Sequence, residues 1–137
     1  MSAILHRALL PLLALLLLSG CLSLQEREMN KLLEKTLHDY EMTLRWGYLQ
    51  NLGDFLAPGA PPAAPLTAEE LKNIRITGYE VMRSPVYFDS ERVVQTVQIR
   101  YVFEDRQVEK QLLDQQVWSY DPEKERWNRA NAIPSLK

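Results

Sequence analysis

The fold class follows from the stretch RVVQTVQIRYVF at residues 92–103. Its apolar residues share one face of an extended strand, and they are Val93, Val97, Ile99, Tyr101 and Phe103. The opposite face is polar and carries Thr96, Gln98 and Arg100. Such alternation is typical of an antiparallel strand that buries one face and leaves the other in water. We therefore expect a sheet with one solvated side.

Period-two alternation continues on both sides of this stretch. It predicts strands at residues 74–82, 86–89, 92–103, 107–120 and 125–131. Turn residues, including a proline after an aspartate, separate the last three strands at 104–106 and 121–124. The alternation slips at Gly78 and at Leu112–Leu113, and we expect a β-bulge at each place.

A helical pattern precedes the strands, from Gln25 to about Phe55. Its apolar stripe repeats at helical spacing and comprises Met29, Leu33, Leu37, Tyr40, Leu44, Tyr48 and Phe55. Gly47 is a plausible break, so one long helix or two shorter ones fit the pattern. The Pro/Ala-rich segment 57–66 is a predicted loop. Residues 67–70 match a capping box, which predicts a short helix through about Asn73.

The same helical pattern has a second apolar side, formed by Met42, Trp46 and Leu49. Two interpretations stay open. Either the following loop folds back and covers these residues, or they form a surface for a partner protein or for self-association.

A helix followed by a run of antiparallel strands is the order of an α+β fold. We expect an amino-terminal helix packed on a curved antiparallel sheet of about four to five strands. In element order and bulge positions, residues from about 27 to 131 resemble the cystatin-like and nuclear-transport-factor-2-like folds. The resemblance implies a bent meander of strands around the helix, with either a closed core or a cone-shaped pocket. Such a fold alone assigns no function.

The first 20 residues have the layout of an export signal. Arg7 is the only lysine or arginine before Arg27, and residues 8–18 form an apolar run. A membrane span needs about 20 apolar residues, so this run is too short to cross a bilayer. The tetrapeptide that follows, Leu18-Ser19-Gly20-Cys21, resembles the lipobox of bacterial lipoproteins.

The lipobox resemblance implies cleavage between Gly20 and Cys21, a diacylglyceryl group on the Cys21 sulfur, and acylation of the freed amine. Two or more acyl chains hold a protein firmly on a membrane. Leu22, where an aspartate would retain many such proteins in the inner membrane, favours the periplasmic face of the outer membrane. The alternative is an ordinary signal peptide with an incidental cysteine.

This interpretation sets the domain organisation. We expect a lipoprotein signal peptide at 1–20, a lipidated tether at 21–26 and a single α+β domain at 27–137. The mature chain would carry 15 basic and 18 acidic residues. This balance argues against a nucleic-acid partner, which favours a basic surplus.

Few residues are available for catalysis or metal binding. His38 is the only histidine beyond the predicted signal, and Cys21 is the only cysteine. We therefore expect no transition-metal site and no cofactor, and the chain cannot form an internal disulfide. We also expect no catalytic residues, because no nucleophile or phosphate-loop motif is present and His38, Asp39 and Tyr40 diverge around a helix.

Aromatic residues on the predicted strands are the best candidates for lining a ligand pocket, and they are Tyr79, Tyr101, Trp118, Tyr120 and Trp127. Ordinary core packing is the competing interpretation. The glutamines of the fourth predicted strand indicate a solvated edge that is open to strand addition, and they are Gln107, Gln111, Gln115 and Gln116.

The leading functional hypothesis is a non-enzymatic envelope lipoprotein that sits close to the bilayer and binds another envelope protein or an apolar ligand. A small-molecule enzyme with a pocket between helix and sheet is the first alternative. It requires a deep cavity on which groups with perturbed ionisation converge. An inhibitor or immunity-type module that uses an exposed edge is the second.

Overall fold

A computed structural model describes residues 23–62 and 66–137. The elements in chain order are α1 (Ser2–Arg45), a 3₁₀ helix (Leu49–Phe55), α2 (Ala68–Asn73), β1 (Ile74–Asp89), β2 (Arg92–Phe103), β3 (Val108–Asp121) and β4 (Arg126–Arg129). The predicted signal peptide, the predicted cleavage site after Gly20 and the predicted lipidation site Cys21 lie outside the described residues.

The strands form one antiparallel sheet in the order β1-β2-β3-β4, and α1 packs against it. This confirms the predicted α+β arrangement. The strand predicted at 92–103 is β2, but those predicted at 74–82 and 86–89 are the single strand β1. The register between β1 and β2 shifts four times, once between Arg83 and Val86. These irregularities let one strand continue through Pro85, which cannot donate a ladder hydrogen bond.

One predicted bulge is confirmed and the other is wrong. The register of β1 against β2 shifts between Ile76 and Gly78, as expected. The pairing of β2 with β3 is unbroken from Arg92 to Phe103, so there is no bulge at Leu112–Leu113. The apparent slip arises because polar residues of β3 are buried on the same face as its apolar ones.

Helix α1 ends at a Schellman motif built on Gly47. The Gly47 amide donates to the Leu44 carbonyl at 3.1 Å, and the Tyr48 amide donates to the Thr43 carbonyl at 3.0 Å. Gly47 has a φ of 75°, a conformation that glycine adopts without a Cβ penalty. The predicted break is therefore confirmed. Tyr48 lies beyond the helix end and is exposed, which corrects its assignment to the apolar stripe.

The core lies between α1 and the sheet. The helix contributes the buried side chains of Leu33, Tyr40 and Leu44, and the inner face of β2 contributes Val93, Val97, Ile99, Tyr101 and Phe103. The carboxyl-terminal tail, to which the sequence analysis assigned no role, adds buried Ile133 and Leu136. Within the part of the chain that the structure describes, no helix combines the length and apolar character needed to span a membrane.

The segments between α1 and the sheet are held by local hydrogen bonds. The capping box of α2 forms as predicted. The Glu70 backbone amide donates to the Thr67 hydroxyl, and the Thr67 backbone amide donates to the Glu70 carboxylate. The start of the Pro/Ala-rich loop lies along β4, where the Ala57 amide donates to the Arg129 carbonyl at 2.8 Å. This contact covers the outer edge of β4.

Candidate functional site

The two tryptophans that were candidates for lining a pocket lie in different parts of the core. Trp118 is fully buried, and its ring centre lies 5.3 Å from that of Tyr40 on α1. Trp127 is also buried, and its indole nitrogen donates to the Met29 carbonyl oxygen at 2.9 Å. Both rings are therefore used in holding α1 on the sheet.

Two of the three tyrosines of the same set also bond to protein groups through their hydroxyls. The buried Tyr101 donates its hydroxyl to the carbonyl oxygen of Lys137 at 2.9 Å, which fixes the end of the chain. The half-buried Tyr79 accepts a hydrogen bond from the Gln116 amide at 3.2 Å. The predicted pocket residues thus all contact other protein groups, and Tyr79 and Trp118 share Gln116 as a hydrogen-bond partner.

A buried ion pair lies at the centre of the helix–sheet interface. The guanidinium of Arg129 on β4 binds the carboxylate of Asp114 on β3 through two hydrogen bonds, of 2.8 and 2.5 Å. Arg129 is fully buried and Asp114 is nearly so. A buried charge is tolerated when a partner of opposite sign and further hydrogen bonds compensate for the lost water.

Arg129 uses every donor that it has. Besides Asp114, its guanidinium donates to the Tyr40 hydroxyl at 2.8 Å, to the Ala132 carbonyl at 2.8 Å and to the Asn131 carbonyl at 3.3 Å. A guanidinium has five N–H groups, and these five hydrogen bonds engage all of them. No donor remains for a substrate, so the cluster works as a structural tie between α1, the sheet and the carboxyl-terminal tail.

Gln116 extends this network across the sheet. Its side-chain oxygen accepts from Gln95 at 2.7 Å and from the Trp118 indole at 3.2 Å, while its amide nitrogen donates to Asp114 at 2.9 Å. Gln116 is fully buried, so it does not belong to the solvated edge on which the sequence placed it. Among the described residues, every buried side-chain nitrogen or oxygen has a hydrogen-bond partner.

The protonation states of this network follow from its burial. Burial raises the pKa of the Tyr40 hydroxyl, and it raises the pKa of Tyr79 to about 12. Burial by itself would lower the pKa of Arg129, but its hydrogen bonds and the charge of Asp114 outweigh that effect and raise it. Both tyrosines are therefore neutral at physiological pH, and Arg129 is charged.

The three residues of the predicted partner surface differ in how deeply they are buried. Leu49 is turned into the core by the 3₁₀ helix that follows Gly47, whereas Met42 is half-buried. Trp46 is 69% exposed. Met42 and Trp46 line a groove of about 280 Å³ against the start of β1, at residues 76–78. Of the three residues, only Leu49 is buried, and the Trp46 indole remains at the surface.

A second groove, of about 460 Å³, lies between residues 25–30 of α1 and the end of the β1–β2 hairpin. Its lining residues are Gln25, Glu26, Met29, Asn30, Tyr87, Asp89 and Ser90. His38 is exposed on α1. In residues 23–62 and 66–137, no three histidine, cysteine, aspartate or glutamate side chains are placed so that they could hold a metal ion.

The buried network was not predicted from the sequence, although a signal for it was present. Asp114 and Gln116 alternate in phase with Leu112 and Trp118 on β3, and Gln95 occupies an inward position of β2. A polar residue in phase with a buried apolar face is either an irregularity or a paired group in the core. The second explanation holds here.

Comparison with known proteins identified no relative of this chain. No protein-family model, no curated protein and no solved structure matches the chain.

Proposed function

We propose that this chain is an envelope lipoprotein whose domain binds another envelope protein as a non-enzymatic assembly accessory. Cleavage before Cys21 and acylation of that residue would hold it on the periplasmic face of the outer membrane. The tetrapeptide Leu18-Ser19-Gly20-Cys21 supports the anchor, because small residues precede a cysteine at the end of an apolar run. Residue 23, two positions later, already belongs to α1, so the tether is short.

One observation carries the binding role, and it is the exposed indole of Trp46. The other two tryptophans are buried in the core. Tryptophan is enriched among the residues that dominate protein–protein binding energy, and an exposed indole that lines a surface groove is a ready contact. Met42 lines that groove next to Trp46, so the two side chains form one surface. A protein fixed beside the bilayer by its lipid meets its partners in the envelope.

The anchor is tested by the intact mass of the protein extracted from membranes. The wild-type product should begin at Cys21 and carry the mass of its acyl groups, and Cys21→Ser should abolish both the cleavage and the added mass. Ser23→Ala is the matched control and should be processed like wild type. A wild-type product that begins at Met1, or that lacks acyl mass, would contradict the anchor.

The binding role is tested with three forms of the lipidated protein in detergent-solubilised envelopes. Wild type and Leu113→Ala should recover the same partner in a stoichiometric complex. Trp46→Ala should weaken that complex by about 2 kcal/mol, roughly 30-fold. Leu113 is the matched control because it is an equally exposed apolar residue, 68% accessible, on β3. The role is refuted if no stoichiometric partner appears or if Trp46→Ala binds as well as wild type.

A further inference from the structure

The end of the β1–β2 hairpin, residues 86–92, lies beside the first described turns of α1. The Tyr87 hydroxyl donates to the Asn30 side-chain oxygen at 2.6 Å. The centre of the Tyr87 ring lies 6.0 Å from that of the Trp127 ring. Asp89 and Ser90, next to the hairpin turn, line the same groove as Gln25 and Glu26. These contacts hold the hairpin end level with residues 25–30 of α1.

This position is close to the predicted lipid anchor. Cys21 is four residues before Gln25 in the sequence, and four residues span about 6 Å when helical and at most about 14 Å when fully extended. The interfacial layer on each side of a bilayer is about 5–7 Å thick. A hairpin end at the level of Gln25 can therefore reach this layer when the acyl chains of Cys21 are inserted.

Several residues exposed at this end are apolar, as contact with the interfacial layer of a bilayer requires. Leu24 is 61% exposed, Val86 is 63% exposed and Phe88 is 52% exposed. One face of the Phe88 ring is covered by the Arg92 guanidinium, 4.5 Å from the ring centre. At the opposite end of the sheet, the β2–β3 turn at 104–107 consists of Glu104, Asp105, Arg106 and Gln107, all exposed. Leu24, Val86 and Phe88 thus place exposed apolar side chains at the end nearest the proposed anchor, whereas the β2–β3 turn itself has none.

We propose that the hairpin end docks on the lipid surface, with Val86, Phe88 and Leu24 at the boundary between headgroups and acyl chains. The inference rests on the anchor at Cys21 proposed above. Contact at a second point would fix the orientation of the domain and direct Trp46, at the other end of α1, away from the bilayer. Acidic residues are also present at this end, among them Glu26, Asp89 and Glu91, so the attraction is apolar and not electrostatic.

The test uses the absence of any natural cysteine other than Cys21, whose thiol the anchor would consume. The mature lipidated protein carrying Ser90→Cys is labelled with a polarity-sensitive fluorophore and reconstituted into vesicles of zwitterionic phospholipid. Glu109→Cys, exposed near the far end of the sheet, is the matched control. The probe at position 90 should shift to shorter wavelength and be quenched by spin-labelled lipid, and the probe at position 109 should keep its spectrum in water.

The phenylalanine is tested in the same background. Phe88→Ser combined with Ser90→Cys should return the probe at position 90 towards its aqueous spectrum. The wild-type shift should survive high salt, because an apolar contact is not screened. Equal spectra at positions 90 and 109, no effect of Phe88→Ser, or a shift that salt abolishes would each overturn the docking.

Intact mass of the labelled samples separates the two proposals. If Cys21 is acylated and the probe at position 90 still reports water, the docking fails and the anchor stands. If acyl mass is absent, the anchor fails, and the docking that depends on it fails with it.

Discussion

Arg129 organises the interior of this protein through its side chain alone. Its guanidinium joins β4 to Asp114 on β3, to Tyr40 on α1 and to the carbonyl groups of residues 131 and 132. An arginine suits this position because its planar head holds a carboxylate with two parallel hydrogen bonds. Removing either charge would leave the other in the core without compensation.

Asp114→Ala should therefore lower the free energy of unfolding by about 3–5 kcal/mol, because Arg129 would stay buried and unpaired. The matched control is Glu104→Ala, which removes one partner of the exposed Arg75–Glu104 ion pair and should cost no more than about 1 kcal/mol. Urea unfolding followed by tryptophan fluorescence measures both. Similar losses for the two variants would contradict the assigned role of Asp114.

The raised pKa of Tyr79 predicts a loss of stability in alkali. The unfolded chain releases this phenolic proton near pH 10, whereas the pKa in the folded protein is about 12 because the ring is buried. The folded state therefore holds more protons between these values, and its stability falls as the pH rises through that window. Unfolding measured from pH 9 to 12 should show a shallower fall for Tyr79→Phe. Tyr48→Phe, which removes the hydroxyl of an exposed ring, is the matched control.

The sequence could not reveal this network because its members are far apart in the chain and polar. Asp114 and Gln116 have the spacing of buried residues, but their polar side chains favour an exposed position. One sequence does not show whether the spacing or the polarity determines their burial. The answer depends on Arg129, 15 residues after Asp114, arriving from a neighbouring strand. The aromatic residues were easier to assign to the sheet, because burial and β preference agree for them.

Helix α1 shows that an element can be ended by one residue. Gly47→Ala should cost about 1–2 kcal/mol, because alanine pays a steric penalty at a φ of 75°. Nothing lies within 4 Å of a Cβ added at Gly47 or at Gly53, so the two sites differ in backbone conformation and not in space. Gly53→Ala is thus the matched control and should change the free energy of unfolding by less than about 0.5 kcal/mol. Equal costs at both glycines would exclude the Schellman explanation.

At this scale the sequence predicted most of the fold. The bounds of β2 and the break after α1 follow from local patterns, namely alternation and a glycine at the end of a periodic run. The continuity of β1 does not, because Pro85 indicates a gap and only the bulges against β2 allow the strand to continue. The residues of the second apolar side differ in exposure for a similar reason. The chain reversal after Gly47 buries Leu49 and leaves Trp46 at the surface.

The whole molecule is closed by its carboxyl-terminal tail. Leu136 packs into the core cluster, and the Lys137 carbonyl accepts hydrogen bonds from Tyr101 and Lys110. Leu136→Ala should cost about 2–5 kcal/mol through the cavity that it leaves. Ser135→Ala, at the exposed neighbour, should be nearly neutral, and thermal unfolding of the two variants measures the difference. A neutral Leu136→Ala would show that the tail packs without contributing to stability.

The hydrogen bonds from Trp127 to Met29 and from Arg129 to Tyr40 join residues 98 and 89 positions apart. A chain threaded through a membrane from its amino end would deliver the helix long before either partner. Hairpins between successive strands could close quickly, because their loops are short. During that interval the apolar side of the helix would have no sheet to cover it, so a chain exported as proposed would need a chaperone or the bilayer itself to keep it from aggregating.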